Sequence, residues 1–163
     1  MKAYLDNNIV SAITKDDNRP ESVAIDRLMI AYEADKVELV TSQLTLDEIQ
    51  SCPAAYRPPL ERTFRLMQKV PLVRWDELLG MNSYGDQGTW ISSPRIQNDP
   101  LFDQLLKCGL AVMDARHVFV AARNSCDSFI TCDGGIIARA AQIAKLCAIL
   151  VEKPSAFVAR HGF

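Results

Sequence analysis

The chain has 163 residues, 48% of them apolar and 23% charged, with a formal net charge of -2 at pH 7. That length fits one ordinary domain with a real core, and the composition excludes an intrinsically disordered chain. The acidic balance excludes a general nucleic-acid coat protein, which would carry a basic surface, but not an enzyme that acts on nucleic acid through metal ions.

The N-terminal stretch Met1–Asp6 carries no apolar signal segment, and no run approaches the length of a membrane span. The five cysteines, Cys52, Cys108, Cys126, Cys132 and Cys147, are odd in number and form no Cys-x-x-Cys pair. Reduced thiols in a cytoplasmic protein, with no membrane partner, are the expectation. Cys126, Cys132 and His117 match no common zinc spacing.

Lys2 to Leu5 is a strand candidate, followed at once by the turn and cap residues Asp6-Asn7-Asn8. A short helix over Ile9–Ile13 is possible. Asn18-Arg19-Pro20-Glu21 is a helix-start signal, and Ala24, Leu28, Ala31 and Tyr32 continue it at helical spacing to about Asp35. Val37–Val40 reads as a second strand, and Thr41-Ser42 as the opening of a helix that Pro53 ends. Leu60–Lys69 reads as a helix and Val70–Arg74 as an extended piece. Residues 80–98 form the least regular segment, a long loop in which Tyr84 and Trp90 either stack on a base or pack the loop down.

Asp99-Pro100 caps a helix through Lys107, with Gly109 as its stop. Ala115, Val118, Phe119 and Ala122 predict a helix over Met113–Arg123. Ser128-Phe129-Ile130-Thr131 is a short buried strand ending at Asp-Gly-Gly. A helix over Gly135–Lys145, a strand over Leu146–Val151 and a short terminal helix complete the pattern. Alternating strands and helices predict a single α/β domain over residues 1–163, a three-layer α/β/α sandwich with a central parallel sheet.

In such sheets ligands bind at the carboxyl ends of the strands, and there the acids gather. Asp6 follows the first strand, where an ordinary turn residue would also serve. Glu48 has the spacing of a capping box with Thr45, or faces a pocket if its helix starts at Ser42. Asp114 opens a helix, where the macrodipole favours it. Asp133 follows a strand and is placed to cap the next helix. Asp127 precedes the same strand as a turn residue. Singly each acid is ordinary. Converging on one sheet edge, three or four carboxylates repel, and a hard divalent cation with oxygen ligands, Mg²⁺ or Mn²⁺, is the natural compensation.

Four segments together resemble the PIN-domain family: Leu5-Asp6-Asn7-Asn8-Ile9, Thr41 through Ile49, Asp114-Ala115-Arg116-His117 with Ala121-Ala122, and Asp127 through Asp133. Ile136-Ile137, Ala148–Val151 and Pro154–Phe157 fit the family's C-terminal pattern. The resemblance implies Mg²⁺- or Mn²⁺-dependent hydrolysis of RNA phosphodiester bonds, as in VapC-type toxin ribonucleases. By position, Asp6, Glu48, Asp114 and Asp133 match its acidic quartet as catalytic residues and metal ligands. Thr131 matches a supporting hydroxyl, and Asn7 a supporting residue of the first turn. Arg116 and Arg123 are candidates for holding RNA, with Arg57, Arg62 and Arg65 further possibilities on what also read as solvated helix faces. A cognate antitoxin protein and a homodimer are expected by the same resemblance. The rival from another class is a catalytically silent PIN module that binds RNA or a protein partner.

Overall fold

The computed structural model describes residues 1–9, 19–45, 70–73 and 99–163. Five strands run through them: β1 (Lys2–Leu5), β2 (Glu38–Ser42), β3 (Leu72–Val73), β4 (Ser128–Ile130) and β5 (Leu150–Glu152). They form one sheet in the order β3-β2-β1-β4-β5, and every neighbouring pair is parallel. Parallel neighbours need long crossovers. The described helices are α1 (Arg19–Glu33), α2 (Pro100–Lys107), α3 (Val112–Arg123), α4 (Gly134–Ile137), α5 (Ala140–Cys147) and α6 (Pro154–His161). None is long and apolar enough to cross a membrane.

Successive strand residues face opposite sides, so each short strand feeds two cores. Ala3, Leu5, Leu39 and Ile130 pack with Ala24, Ile25 and Leu28 of α1 and Phe157 of α6. Tyr4, Val40 and Phe129 pack on the other side with Phe102, Val118, Phe119 and Ile143 of α2, α3 and α5. Burial on both faces is why the central strands read as apolar runs and not as alternating ones. Phe129, fully buried, stacks on Tyr4 at 5.3 Å between ring centroids. Full burial of one such ring contributes about 1.5–3 kcal/mol. The α/β sandwich with a parallel sheet is therefore the architecture.

Three boundaries differ from the sequence-based expectation. Thr41 and Ser42 belong to β2, paired with Leu72 and Val73, and helix begins only at Gln43. The Thr41 hydroxyl donates to the Leu5 carbonyl at 3.0 Å, which keeps the residue in the sheet. Gly135–Lys145 is two helices, broken at Arg139, whose guanidinium bonds the carbonyls of Cys108 and Gly135. Gly109 sits beside that guanidinium at φ +83°, and this left-handed backbone is why the α2 stop favours glycine. Leu146 and Cys147 finish α5, Ala148 turns the chain at φ +57°, and β5 starts only at Leu150.

The topology singles out one edge of the sheet. From β1 the sheet grows outward through β2 to β3, then the chain crosses back and places β4 on the opposite flank of β1. The strand order thus reverses between β1 and β4. Ligands of open parallel sheets bind at such a reversal, outside the carboxyl ends of the strands.

Candidate active site at the carboxyl ends of β1 and β4

Leu5 of β1 pairs with Ile130 of β4, so Asp6 and Thr131 form the next level of the ladder. The Asp6 N–H donates to the Ile130 carbonyl at 3.0 Å, which carries the ladder one step beyond the strand. Period two then puts the side chains of Asp6 and Thr131 on the side of Tyr4 and Phe129, the side covered by α3. The Thr131 hydroxyl donates to Asp6 Oδ2 at 2.6 Å, and Asn8 Nδ2 donates to the same oxygen at 3.3 Å.

Asp6 is only 2% exposed. Burial pushes its carboxyl above the usual range by disfavouring the charged form. His117 nearby works in the opposite direction, as do hydrogen bonds from Thr131, Asn8 and the Asn7 backbone. Asn7 thus supports Asp6 through its main chain.

Asp133 enters through the same hydroxyl. Its N–H donates to Thr131 Oγ1 at 2.9 Å. A hydroxyl has one proton and two lone pairs, so Thr131 accepts from Asp133 and directs its proton at Asp6. Asp133 Oδ1 accepts the Ile136 N–H at 2.9 Å as the cap of α4. A Cβ on Gly135 would lie 2.9 Å from that oxygen, so the second glycine of Asp-Gly-Gly keeps the cap open.

Asp114 lies in the first turn of α3, partly buried. The helix runs against the strands. Its middle residue His117 bonds Tyr4 in β1, and its end leads to Asp127, whose N–H donates to the Lys2 carbonyl at the start of β1. The first turn is therefore at the carboxyl edge, the side on which Asp6 sits.

Arg123 is the counterpart at the far end of α3. It pairs with Asp99 and stacks over Phe119 at 5.2 Å. It lies about 13 Å from Asp114 along the helix, at the end of α3 opposite the acids. Arg116 Nη1 approaches Met113 Sδ at 3.5 Å, and its Nε is buried without a hydrogen-bond partner among the described residues. Glu48, Asp47, Arg57, Arg62 and Arg65, and the loop with Tyr84 and Trp90, lie outside the described residues.

The described residues contain no group of three His, Cys, Asp or Glu side chains placed to hold one metal ion. Asp6 and Asp133 share the Thr131 hydroxyl, and their oxygen chemistry suits a hard divalent cation. Cys126 and Cys132 flank β4 at opposite ends, about 20 Å of extended chain apart. Burial pushes their thiols up to about 11 and about 12, which disfavours thiolate ligation.

Sequence reasoning passed over a buried hydrogen-bonded chain beneath the acids. Tyr4 Oη lies 2.5 Å from Ser42 Oγ and 2.8 Å from His117 Nδ1. The available signal was spacing: His117 falls three residues after Asp114, on the same helix face, and Tyr4 two residues before Asp6. It also passed over Glu21, buried in α1, which accepts both the N–H and the hydroxyl of Ser155 and clamps α1 to α6.

Fold and site define a parallel α/β protein with a buried carboxylate, Asp6, tied through the Thr131 hydroxyl to the backbone of Asp133 at the reversal point of its sheet. No family model, no curated protein and no solved structure matches the chain.

Proposed function

We propose that this protein is a divalent-metal-dependent endoribonuclease of the PIN type, hydrolysing RNA phosphodiester bonds. The observation that carries the reading is the Asp6–Thr131–Asp133 chain at the carboxyl ends of β1 and β4. A carboxylate is rarely buried without a task, and a buried, perturbed acid in a crevice is a mark of a functional site. The order of Asp6, Glu48, Asp114 and Asp133 along the chain adds the resemblance to that family.

Mg²⁺ or Mn²⁺, when bound, would neutralise charge on a phosphoryl oxygen and make water a nucleophile at neutral pH. Asp6 and Asp133 are the donors for it, with Asp114 and Glu48 completing the acidic set. Thr131 orients the Asp6 carboxylate, and Asn7 and Asn8 share its charge. Asp133 keeps one oxygen on the α4 cap, which fixes its carboxyl plane and leaves the second oxygen for a ligand. Arg116 is the described cation nearest in sequence to the acids and is the candidate for steadying the RNA backbone. A toxin role in the cytoplasm, a cognate antitoxin and a homodimer belong to the same proposal.

The test is incubation of the purified protein with RNA pools in Mg²⁺, Mn²⁺ or EDTA, with the product ends mapped. Internal cleavage that needs the metal and stops in EDTA supports the proposal. RNA binding without cleavage in any metal replaces it with the silent RNA-binding module.

A further inference from the structure

The Tyr4 ring is fixed by its stack on Phe129 and by the edge of the His117 ring at 6.0 Å. Its hydroxyl is the middle member of a chain joining three elements: Ser42 at the end of β2, Tyr4 in β1 and His117 in α3. All three side chains are buried. Either tautomer closes the chain. With Nδ1 bare, Ser42 donates to Tyr4 and Tyr4 to Nδ1; with Nδ1 protonated, both bonds reverse. The chain therefore works as a geometric tie whichever nitrogen carries the proton.

Its members stand at fixed intervals from acids. Asp6 is two residues beyond Tyr4, a rise of about 6.6 Å along the strand. Asp114 is one turn before His117, a rise of about 4.5 Å along a helix that runs the opposite way, so it moves in the same direction in space. Ser42 is the last residue of β2 before helix begins at Gln43, on the segment that leads to Glu48.

We propose that the Ser42–Tyr4–His117 chain is a positioning device, holding α3 against β1 and β2 in the register that brings Asp114 to the sheet edge occupied by Asp6. The proposal rests on the endoribonuclease reading. None of the three residues needs to touch RNA. Their hydrogen bonds set the separation of residues that would, and small misplacements of such groups reduce turnover severely.

The experiment compares Tyr4→Phe, His117→Leu and His117→Asn with the intact protein, well below the unfolding temperature of each. Tyr4→Phe keeps the stacked ring and loses only the hydroxyl. His117→Asn keeps a polar group near the position of Nδ1, and His117→Leu does not. Ser155→Ala, which removes the hydroxyl bond to the distant Glu21 and leaves the backbone one, is the control for lost stability alone. Tyr4→Phe and His117→Leu are expected to lower kcat about tenfold or more with KM for RNA unchanged, and to weaken Mn²⁺ binding in calorimetry about tenfold. His117→Asn is expected to recover most of both, and Ser155→Ala to lower Tm with kcat unchanged. If Tyr4→Phe does not fold, the His117 pair decides. Lower Tm with kcat and the Mn²⁺ Kd within about twofold of the intact protein overturns the positioning role and leaves the nuclease reading standing. An intact protein that neither cleaves RNA nor binds Mn²⁺ overturns both. One that binds Mn²⁺ without cleaving overturns the nuclease reading only, and the Kd then decides the positioning role.

Discussion

The two ends of β4 carry the same residue type and use it in opposite ways. Before the strand, Asp127 accepts the Lys2 N–H at 2.8 Å and returns its own N–H to the Lys2 carbonyl at 2.8 Å. Its carboxylate is exposed and closes the start of the β1–β4 ladder. After the strand, Asp133 and Thr131 lead to Asp6, a carboxylate almost wholly removed from water. Hydrating water remains available to the first acid, so its ladder bond is close to neutral in free energy. Asp6, beside the far end, loses that water and regains only part of the loss through Thr131, Asn8 and Asn7. The carboxyl edge thus carries an electrostatic strain that the amino edge lacks. Such strain persists where function requires it.

The contrast is broken or sharpened first by activity. Asp6→Asn keeps the volume of the side chain and removes its charge. RNA cleavage in Mg²⁺ should fall about a thousandfold or more, as for removal of a central catalytic group. Asp127→Asn should stay within about twofold of the parent, because exposed positions away from a site have small effects. Equal losses in both, measured as kcat/KM on one mapped RNA, would erase the distinction between the two ends. The next effect is Thr131→Val, which takes away the donor to Asp6 and the acceptor for the Asp133 N–H. Cleavage should drop about 10–100-fold, and stability in urea by about 1–3 kcal/mol. Thr131→Ser, which keeps the hydroxyl, should lose far less of either.

Much of the fold is legible in the sequence because strands buried on both faces give short apolar runs. Asp99-Pro100 and Gly109 likewise mark the ends of α2 through local chemistry. The misplaced boundaries depend on partners far along the chain. Thr41 stays in β2 because its hydroxyl meets Leu5, and the break at Arg139 depends on the carbonyl of Cys108. The site divides in the same way. Asp6, Thr131 and Asp133 are visible because they directly follow strands. The Tyr4 partners lie 38 and 113 residues away, so a polar residue in a strand and another in a helix stay unconnected until the register is known. The position of Arg123, a candidate for holding RNA, likewise emerges only with the fold, where it pairs with Asp99. Spacing gives the face of a helix and not its direction across the sheet, and α3 carries Arg123 away from the acids.

The smallest expected effect concerns stability without metal. The Asp6 carboxyl binds its proton more tightly in the folded protein than in the unfolded chain, because burial raises it above its ordinary value of 3.8. The stability it contributes is therefore fully present below about 3.8 and is lost as pH rises through the folded value. Asp6→Asn removes the titration, so in EDTA its advantage over the parent should grow from about pH 4 to about pH 7. Each kcal/mol of that advantage reads as a rise of about 2–4 °C in Tm for a chain of this size. Asp127→Asn should change stability by about 0.5 kcal/mol or less at any pH, since its carboxylate is exposed. Thermal unfolding of the parent and both variants across that range compares the two ends of β4 directly. An Asp6→Asn protein less stable than the parent near pH 7 would mean that the buried carboxylate, like the exposed one, supports the fold, and the argument from strain to function would fail.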